Sequence, residues 1–261
     1  DGQFNMRIAK EAATPLTANI VALESREDGR SLDMAIMVSC DLICIRPNDL
    51  VVALRNEVRR QLPNIDEKKI FLNAIHTHTA PVLFNGTEPA FKYPIPKEGV
   101  TQPEAYNAFF VRRVVEAIVK AWNNRRPGSV TWGLSHAAIG HNRRAVYADG
   151  TAQMYGNTNV PEFRNLEGYE DHDVNVLFFW NRDGKLVAAS IDVPCTAQEV
   201  ENDSSVNADY CHPVRAALKK RFGEDLCVLS WIGASGDMSP HLMYHKAAEA
   251  RMMKLRGLTG L

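Results

Sequence analysis

The sequence predicts an α/β fold in which mixed β-sheets are covered by helices, a layered sandwich built as one domain over residues 1–261. Three observations lead there. Short apolar, β-branched runs alternate along the chain with stretches of helical periodicity. Clusters of turn-forming residues separate neighbouring runs closely enough for hairpins. No internal repeat or low-complexity segment points to a solenoid or a linker.

The first strands are read at residues 16–23 and 34–40, with the polar, glycine-containing segment 25–31 as their hairpin connection. A helix follows. Asn48 or Asp49 can cap it, Leu50, Leu54 and Val58 recur every four residues, and Pro63 stops the chain after Leu62. Residues 70–75 form a short buried strand, and an irregular stretch from Thr79 to Val100, long for a plain connection, is expected to shape a binding surface. Thr101 and Glu104 have capping-box spacing for a second helix, whose stripe of Phe110, Val114, Ala117, Ile118 and Ala121 faces a core and ends before Pro127-Gly128.

A strand over residues 130–139 comes next, then a hairpin of 174–180 with 185–193 around the turn Asn181-Arg182-Asp183-Gly184. A helix over about residues 208–222, a strand over 226–232 and a helical segment over 246–255 complete the order. Because the chain starts at Asp1 without methionine and stops at Leu261 with no finishing strand, it is expected to be cut short at both ends.

Thirty Lys plus Arg against 31 Asp plus Glu leave a net charge of −1, so no basic field exists of the kind that draws proteins to nucleic acid or anionic lipid. No apolar run approaches the roughly 20 residues that cross a bilayer, and no signal-peptide pattern opens the chain. Cys40, Cys44, Cys195, Cys211 and Cys227 make an odd count in a chain too large to need stapling, and read as buried thiols. Cys40 and Cys44 have zinc-knuckle spacing but lack a second close pair.

Four polar clusters stand at strand ends. In His76-Thr77-His78, residues two apart in a strand face the same way, so both rings can converge on a metal or a substrate, or form a structural hydrogen-bonded pair. Gly236-Asp237-Met238-Ser239-Pro240 follows an apolar strand; strand, turn and helix would present a side chain beside free N–H groups, against the plainer reading of a capped turn. The absence of Gly-x-Ser-x-Gly disfavours a standard α/β-hydrolase. In His141-Asn142-Arg143-Arg144, one guanidinium turned inward could grip a carboxylate or polarised carbonyl. Cys195, after Pro194, is either a small core residue or a third ligand beside the His-x-His pair. Asp171, His172 and Asp173 are assigned capping or surface roles.

Read in order, these segments resemble the neutral ceramidase family over nearly the whole chain. The family's His-Thr-His-Ser-Gly-Pro corresponds to residues 76–81, its Asn-Arg-Ser to Asn142-Arg143-Arg144, and its Gly-Asp-Val-Ser-Pro to residues 236–240. The resemblance implies a zinc-dependent amide hydrolase acting on an N-acyl sphingoid base. His76 would bind zinc, His78 would contact substrate or move a proton, Arg143 would hold the substrate near its amide, and Ser239 would supply a hydroxyl. Zinc-activated water is the favoured nucleophile. A secreted or periplasmic location and peripheral membrane contact through the substrate are further implications, and the chain would be the first part of a larger catalytic domain.

Two departures bear on this. Where the family has a His-Pro-Thr ligand the chain has Cys195-Thr196, so that a thiolate replaces imidazole or the metal site is altered. The family's glycine-rich stretch after the proline is replaced by Val82-Leu83-Phe84-Asn85. The Glu and Tyr that complete the family's zinc site find no match in the chain. The alternatives are a metal-dependent esterase or amidase of a smaller polar substrate, and a catalytically silent binder of lipid or glycan. Asn85-Gly86-Thr87 and Asn202-Asp203-Ser204 have the form of glycosylation acceptors.

Overall fold

The computed structural model describes residues 5–84 and 93–257. Strands β1 (Ala18–Glu27) and β2 (Arg30–Cys40) form an antiparallel hairpin. Its turn is the pair Asp28-Gly29, with φ of 47° and 80°, the doubly left-handed geometry that Asp-Gly favours in two-residue hairpins. The strands therefore run closer to the turn than the polar segment 25–31 suggested, because polar residues continue a strand wherever both faces meet solvent. Helix α1 (Leu50–Gln61) is capped by Asp49 and buries Leu50, Leu54 and Val58, as the four-residue recurrence predicts. Strand β3 (Ile70–Ala74) then joins β2 in parallel, Ile36 opposite Ile70 and Cys40 opposite Ala74.

Helix α2 (Pro103–Asn123) starts one residue later than the expected capping box requires. Pro103 takes the first helical position, where its fixed φ fits and its missing N–H costs nothing, so Gln102 becomes the cap and no side-chain cap bond forms. Phe110, Val114 and Ile118 of α2 pack with Leu54 and Val58 of α1 over Ile36 and Val38 of the sheet, forming the largest core cluster.

The second sheet uses strands β4 (Gly128–His136), β9 (Asp173–Asn181), β10 (Leu186–Val193) and β11 (Cys227–Ile232) in the order β11-β10-β9-β4. Strands β9 and β10 are the predicted hairpin, while β10 and β11 run parallel, joined through helix α3 (Cys211–Phe222). Between β4 and β9 lie four short strands, β5 (His141–Asn142), β6 (Arg144–Tyr147), β7 (Ala152–Met154) and β8 (Phe163–Leu166). Strand β12 (Met238–Ser239) pairs with β5, and helix α4 (Lys246–Leu255) follows. The helix expected directly after the Gly236–Pro240 segment does not form there: the segment itself holds the two-residue strand, and the next helix starts at Lys246. None of the helices among the described residues is long and apolar enough to cross a membrane.

The two sheets are laced at β11, an edge strand whose outer backbone groups have no strand partner among the described residues. The buried Ser39 hydroxyl on β2 donates to the Ser230 carbonyl at 2.6 Å and accepts from the Ser230 N–H at 3.2 Å. Asn73 on β3 adds a second donor to the same carbonyl at 3.2 Å. Close by, the buried Asp41 carboxylate receives both arms of Arg215 from α3, at 2.9 and 2.7 Å, and the N–H and hydroxyl of Thr17. Four donors satisfy this carboxylate out of water, which is the condition for a buried ion pair to be tolerated.

Replacing Ser39 by Ala strands the Ser230 N–H and should lower unfolding free energy by about 1–3 kcal/mol. Arg215→Leu, which leaves Asp41 buried and unpaired, should cost about 3–5 kcal/mol. Urea unfolding of the full protein measures both, and a change below about 0.5 kcal/mol for Arg215→Leu would contradict the lacing.

Candidate functional site

The exits of four strands meet on one side of the molecule. After β3, Ile75 donates its N–H to the Cys40 carbonyl and accepts from the Ala197 N–H at 3.0 Å, and Gly233 after β11 donates to the Val193 carbonyl at 3.0 Å. Each strand therefore hands its next few residues to the same region.

His76 does not sit on the strand, which ends at Ala74. Its φ is 66°, a left-handed conformation that costs a non-glycine residue about 1–2 kcal/mol and is held here by its N–H on the Leu42 carbonyl at 3.0 Å. The same-face argument for the two histidines is thereby corrected, yet their rings do converge, with centroids 4.9 Å apart and planes at 69°. The Thr77 and Thr79 hydroxyls both donate to the Asn207 carbonyl at 2.8 Å, which clamps the loop to the segment before α3.

His76 Nδ1 lies 2.6 Å from the Ile43 carbonyl, which can only accept, so Nδ1 carries the proton and Nε2 keeps its lone pair. Burial, with the neighbouring His78, pushes its pKa down to about 4. A neutral imidazole whose far nitrogen is anchored to a carbonyl is what a metal ligand requires.

His78 is buried, and both its ring nitrogens have protein partners. Nδ1 pairs with Glu201 Oε2 at 2.8 Å, and the Gln198 side-chain nitrogen approaches Nε2 at 2.8 Å. Burial alone would raise the Glu201 carboxyl, but its bond to His78 and the nearby charges hold it below the usual range. Arg7 adds a guanidinium nitrogen 2.8 Å from the His78 carbonyl.

Of the two adjacent arginines, Arg143 turns inward and Arg144 lies outside against Glu167. Arg143 Nη1 donates to the Tyr155 hydroxyl at 2.7 Å and to Gln198 Oε1 at 3.2 Å, while Nε and Nη2 both donate to the Gly236 carbonyl, at 3.3 and 2.9 Å. These bonds use four of its five N–H groups, so its fork is fixed by the protein and one Nη2 proton has no partner among the described residues. Tyr155 is itself left-handed, at φ 53°, and its N–H donates to the Arg143 carbonyl at 2.7 Å.

Ser239 is fully buried on β12 opposite His141, and its hydroxyl accepts the His241 N–H at 3.2 Å. His241 Nε2 in turn lies 2.9 Å from the Gln198 carbonyl. The segments that carry Arg143 and Ser239 are thus adjacent strands, held also by Asn142 on Asp237 at 3.0 Å and the Arg143 N–H on the Asp237 carbonyl at 2.8 Å.

Cys195 is buried, its sulfur 3.8 Å from the Ile139 carbonyl and 3.6 Å from the Thr196 carbonyl. Burial pushes its thiol up to about 12, so a ligand role requires the metal itself to displace the proton. Cys40 is likewise a buried core thiol. Among the described residues no three His, Cys, Asp or Glu side chains group closely enough to hold a metal ion. His76 has the form of a zinc ligand, and the described residues alone do not complete a zinc site.

Glu170 Oε2 lies 3.2 Å from His141 and 3.4 Å from His172, and Asp171 caps the Asp173 N–H at 2.9 Å, in keeping with the structural role expected of that cluster. Leu83 and Phe84, within the stretch expected to shape a binding surface, are buried in the first core; Asn85 and the acceptor sequence Asn85-Gly86-Thr87 lie outside the described residues. Asn202 is exposed in a turn. Gln198, Glu201 and Tyr155 were missed by sequence reading. The polar run after β10 was the only signal for the first two, and Tyr155 had none.

No protein-family model and no curated protein matches the chain. Solved structures do. A neutral ceramidase from Pseudomonas aeruginosa superposes with a TM-score of 0.70 at 17% identity, over 98% of this chain and 41% of that one. A ceramidase complexed with C2 gives 0.66 at 17% identity, over 98% and 40%. The chain has this fold and spans about two-fifths of the length of these structures.

Because the folded pKa of His76 lies below its unfolded value, stability is complete above about pH 6.5 and is lost as pH falls toward 4. In metal-stripped protein, His76→Asn should flatten the stability profile across that window relative to wild type, as followed by urea midpoints. An unchanged profile would contradict the burial of a neutral ring.

Proposed function

We propose that the chain is the first part of the catalytic domain of a zinc-dependent hydrolase that cleaves an N-acyl sphingoid base, or a related lipid-like amide, to an amine and a fatty acid. The fold shared with two ceramidases supports this reading. The observation that carries it is the hydrogen-bonded run from His78 through Gln198 to Arg143, which unites three strand exits around His76.

His76 Nε2 would hold the zinc, with Cys195 as a second ligand once its thiol is deprotonated and the rest supplied from outside the described residues. Bound zinc supplies a Lewis acid for the amide carbonyl. His78 would accept or return the proton while Glu201 keeps its ring oriented. Arg143 places a fixed positive charge, and its remaining Nη2 proton, where an oxyanion develops. The buried Ser239 hydroxyl organises the turn behind them. Contact with a membrane would come through the lipid substrate.

A silent binder of lipid or glycan is the second reading, favoured by the lack of a three-ligand group among the described residues. The full protein should release fatty acid from an N-acyl sphingoid base faster than from a short polar N-acyl amide or an acyl ester, and His78→Ala should lower kcat roughly 10²- to 10⁴-fold. Cleavage of the polar substrates alone would replace the lipid reading. Lipid binding without cleavage of any of them would overturn hydrolysis and establish the binder.

A further inference from the structure

Two buried arginines of this chain are held in different ways. Arg215 grips both oxygens of the Asp41 carboxylate, at 2.9 and 2.7 Å. Arg143 is also buried, yet all four of its bonds go to neutral oxygens, those of Tyr155, Gln198 and Gly236, and it makes no ion pair among the described residues. A buried guanidinium without a counter-charge is costly, and is tolerated where an arriving group supplies that charge. Its acceptors must then fix the fork without neutralising it.

Tyr155 is delivered to that task by its own backbone. In the β6–β7 ladder Arg144 stands opposite Met154, so the next pair along is Arg143 and Tyr155. Tyr155 leaves the strand conformation at φ 53° while its N–H keeps the Arg143 carbonyl at 2.7 Å. The following residue is small by necessity, since a Cβ at Gly156 would collide with the Tyr147 hydroxyl. This turn carries the phenol back to its ladder partner. Its hydroxyl accepts the Arg143 Nη1–H at 2.7 Å, and the guanidinium carbon lies 5.2 Å from the ring centroid, within cation–π range. Strain that brings one side chain to one partner points to a functional constraint. We infer that Tyr155 is a positioning residue, whose neutral hydroxyl fixes the Arg143 guanidinium and leaves its charge uncompensated for a carboxylate or developing oxyanion of the ligand. The inference deepens the proposed function and rests on it only for its kinetic consequence.

The test is NMR of the full protein labelled with ¹⁵N-arginine, assigned through Arg143→Lys, alongside steady-state kinetics of wild type, Tyr155→Phe and Tyr155→Leu on the N-acyl sphingoid base. The two Nη1 protons have different acceptors, Tyr155 and Gln198, so wild type should show them as separate signals. Tyr155→Phe keeps the ring and loses the acceptor, and Tyr155→Leu loses both. In each variant the two protons should average into one signal, and kcat should fall roughly tenfold or more with KM changed less than about twofold. Averaged Nη1 protons in wild type overturn the inference, whatever the variants do. So do separate signals in folded Tyr155→Phe, and so does amide cleavage with kcat unchanged in both variants or a loss confined to KM. If the signals behave as expected and no amide is cleaved, the hydrolase reading fails and the positioning role stands.

Discussion

The arrangement depends on the reciprocal hydrogen bonds between Ser39 and Ser230. A β-sheet edge leaves backbone donors and acceptors unpaired, and burying them without partners costs more than a good bond gains. At β11 the missing strand is replaced by one hydroxyl and one amide from the neighbouring sheet, Ser39 and Asn73. The edge of one sheet is therefore held against β2 and β3 of the other. Since β2 runs parallel to β3, and β10 to β11, residues that leave these strands can be gathered into one place. The Asp41–Arg215 pair adds the start of β1 and the body of α3 to the same junction.

From that junction the site is built with little mobile machinery. His76 is anchored by a carbonyl, the threonines around His78 by another, and Arg143 by the Gly236 carbonyl, the Tyr155 hydroxyl and Gln198. Groups held this way need not reorganise when charge develops, which is the physical basis of electrostatic preorganisation. The strain sits in the same place. His76 and Tyr155 both adopt left-handed backbones, each held by a hydrogen bond from its own N–H.

Long periodic elements were legible in the sequence. The stripe of α1, the stripe of α2 and the hairpin of β9 and β10 appear where residue spacing puts them. Strands of two to four residues, such as β5 and β12, offer no alternation to read, and they are the elements that bring Arg143 beside Gly236 and Ser239. The His-Thr-His segment pointed to the right place for a reason that fails, since convergence comes from a left-handed turn rather than from strand pleat. Arg143 was legible as one of two candidates, and only burial separates it from Arg144. Gln198 and Glu201 were not, because an isolated polar residue after a strand acquires meaning only from what lies opposite it across 120 or more residues of chain. Cys195 stood out as a thiol, and the structure buries it beside the Ile139 and Thr196 carbonyls.

The central claim is that these strand exits form a zinc site around the anchored imidazole of His76. Zinc content per chain of the purified full protein, wild type against His76→Ala, tests it most directly. The claim predicts about one zinc in wild type, lost in the variant. Wild type that takes up no zinc when zinc is supplied, or a variant that retains it, would contradict the claim.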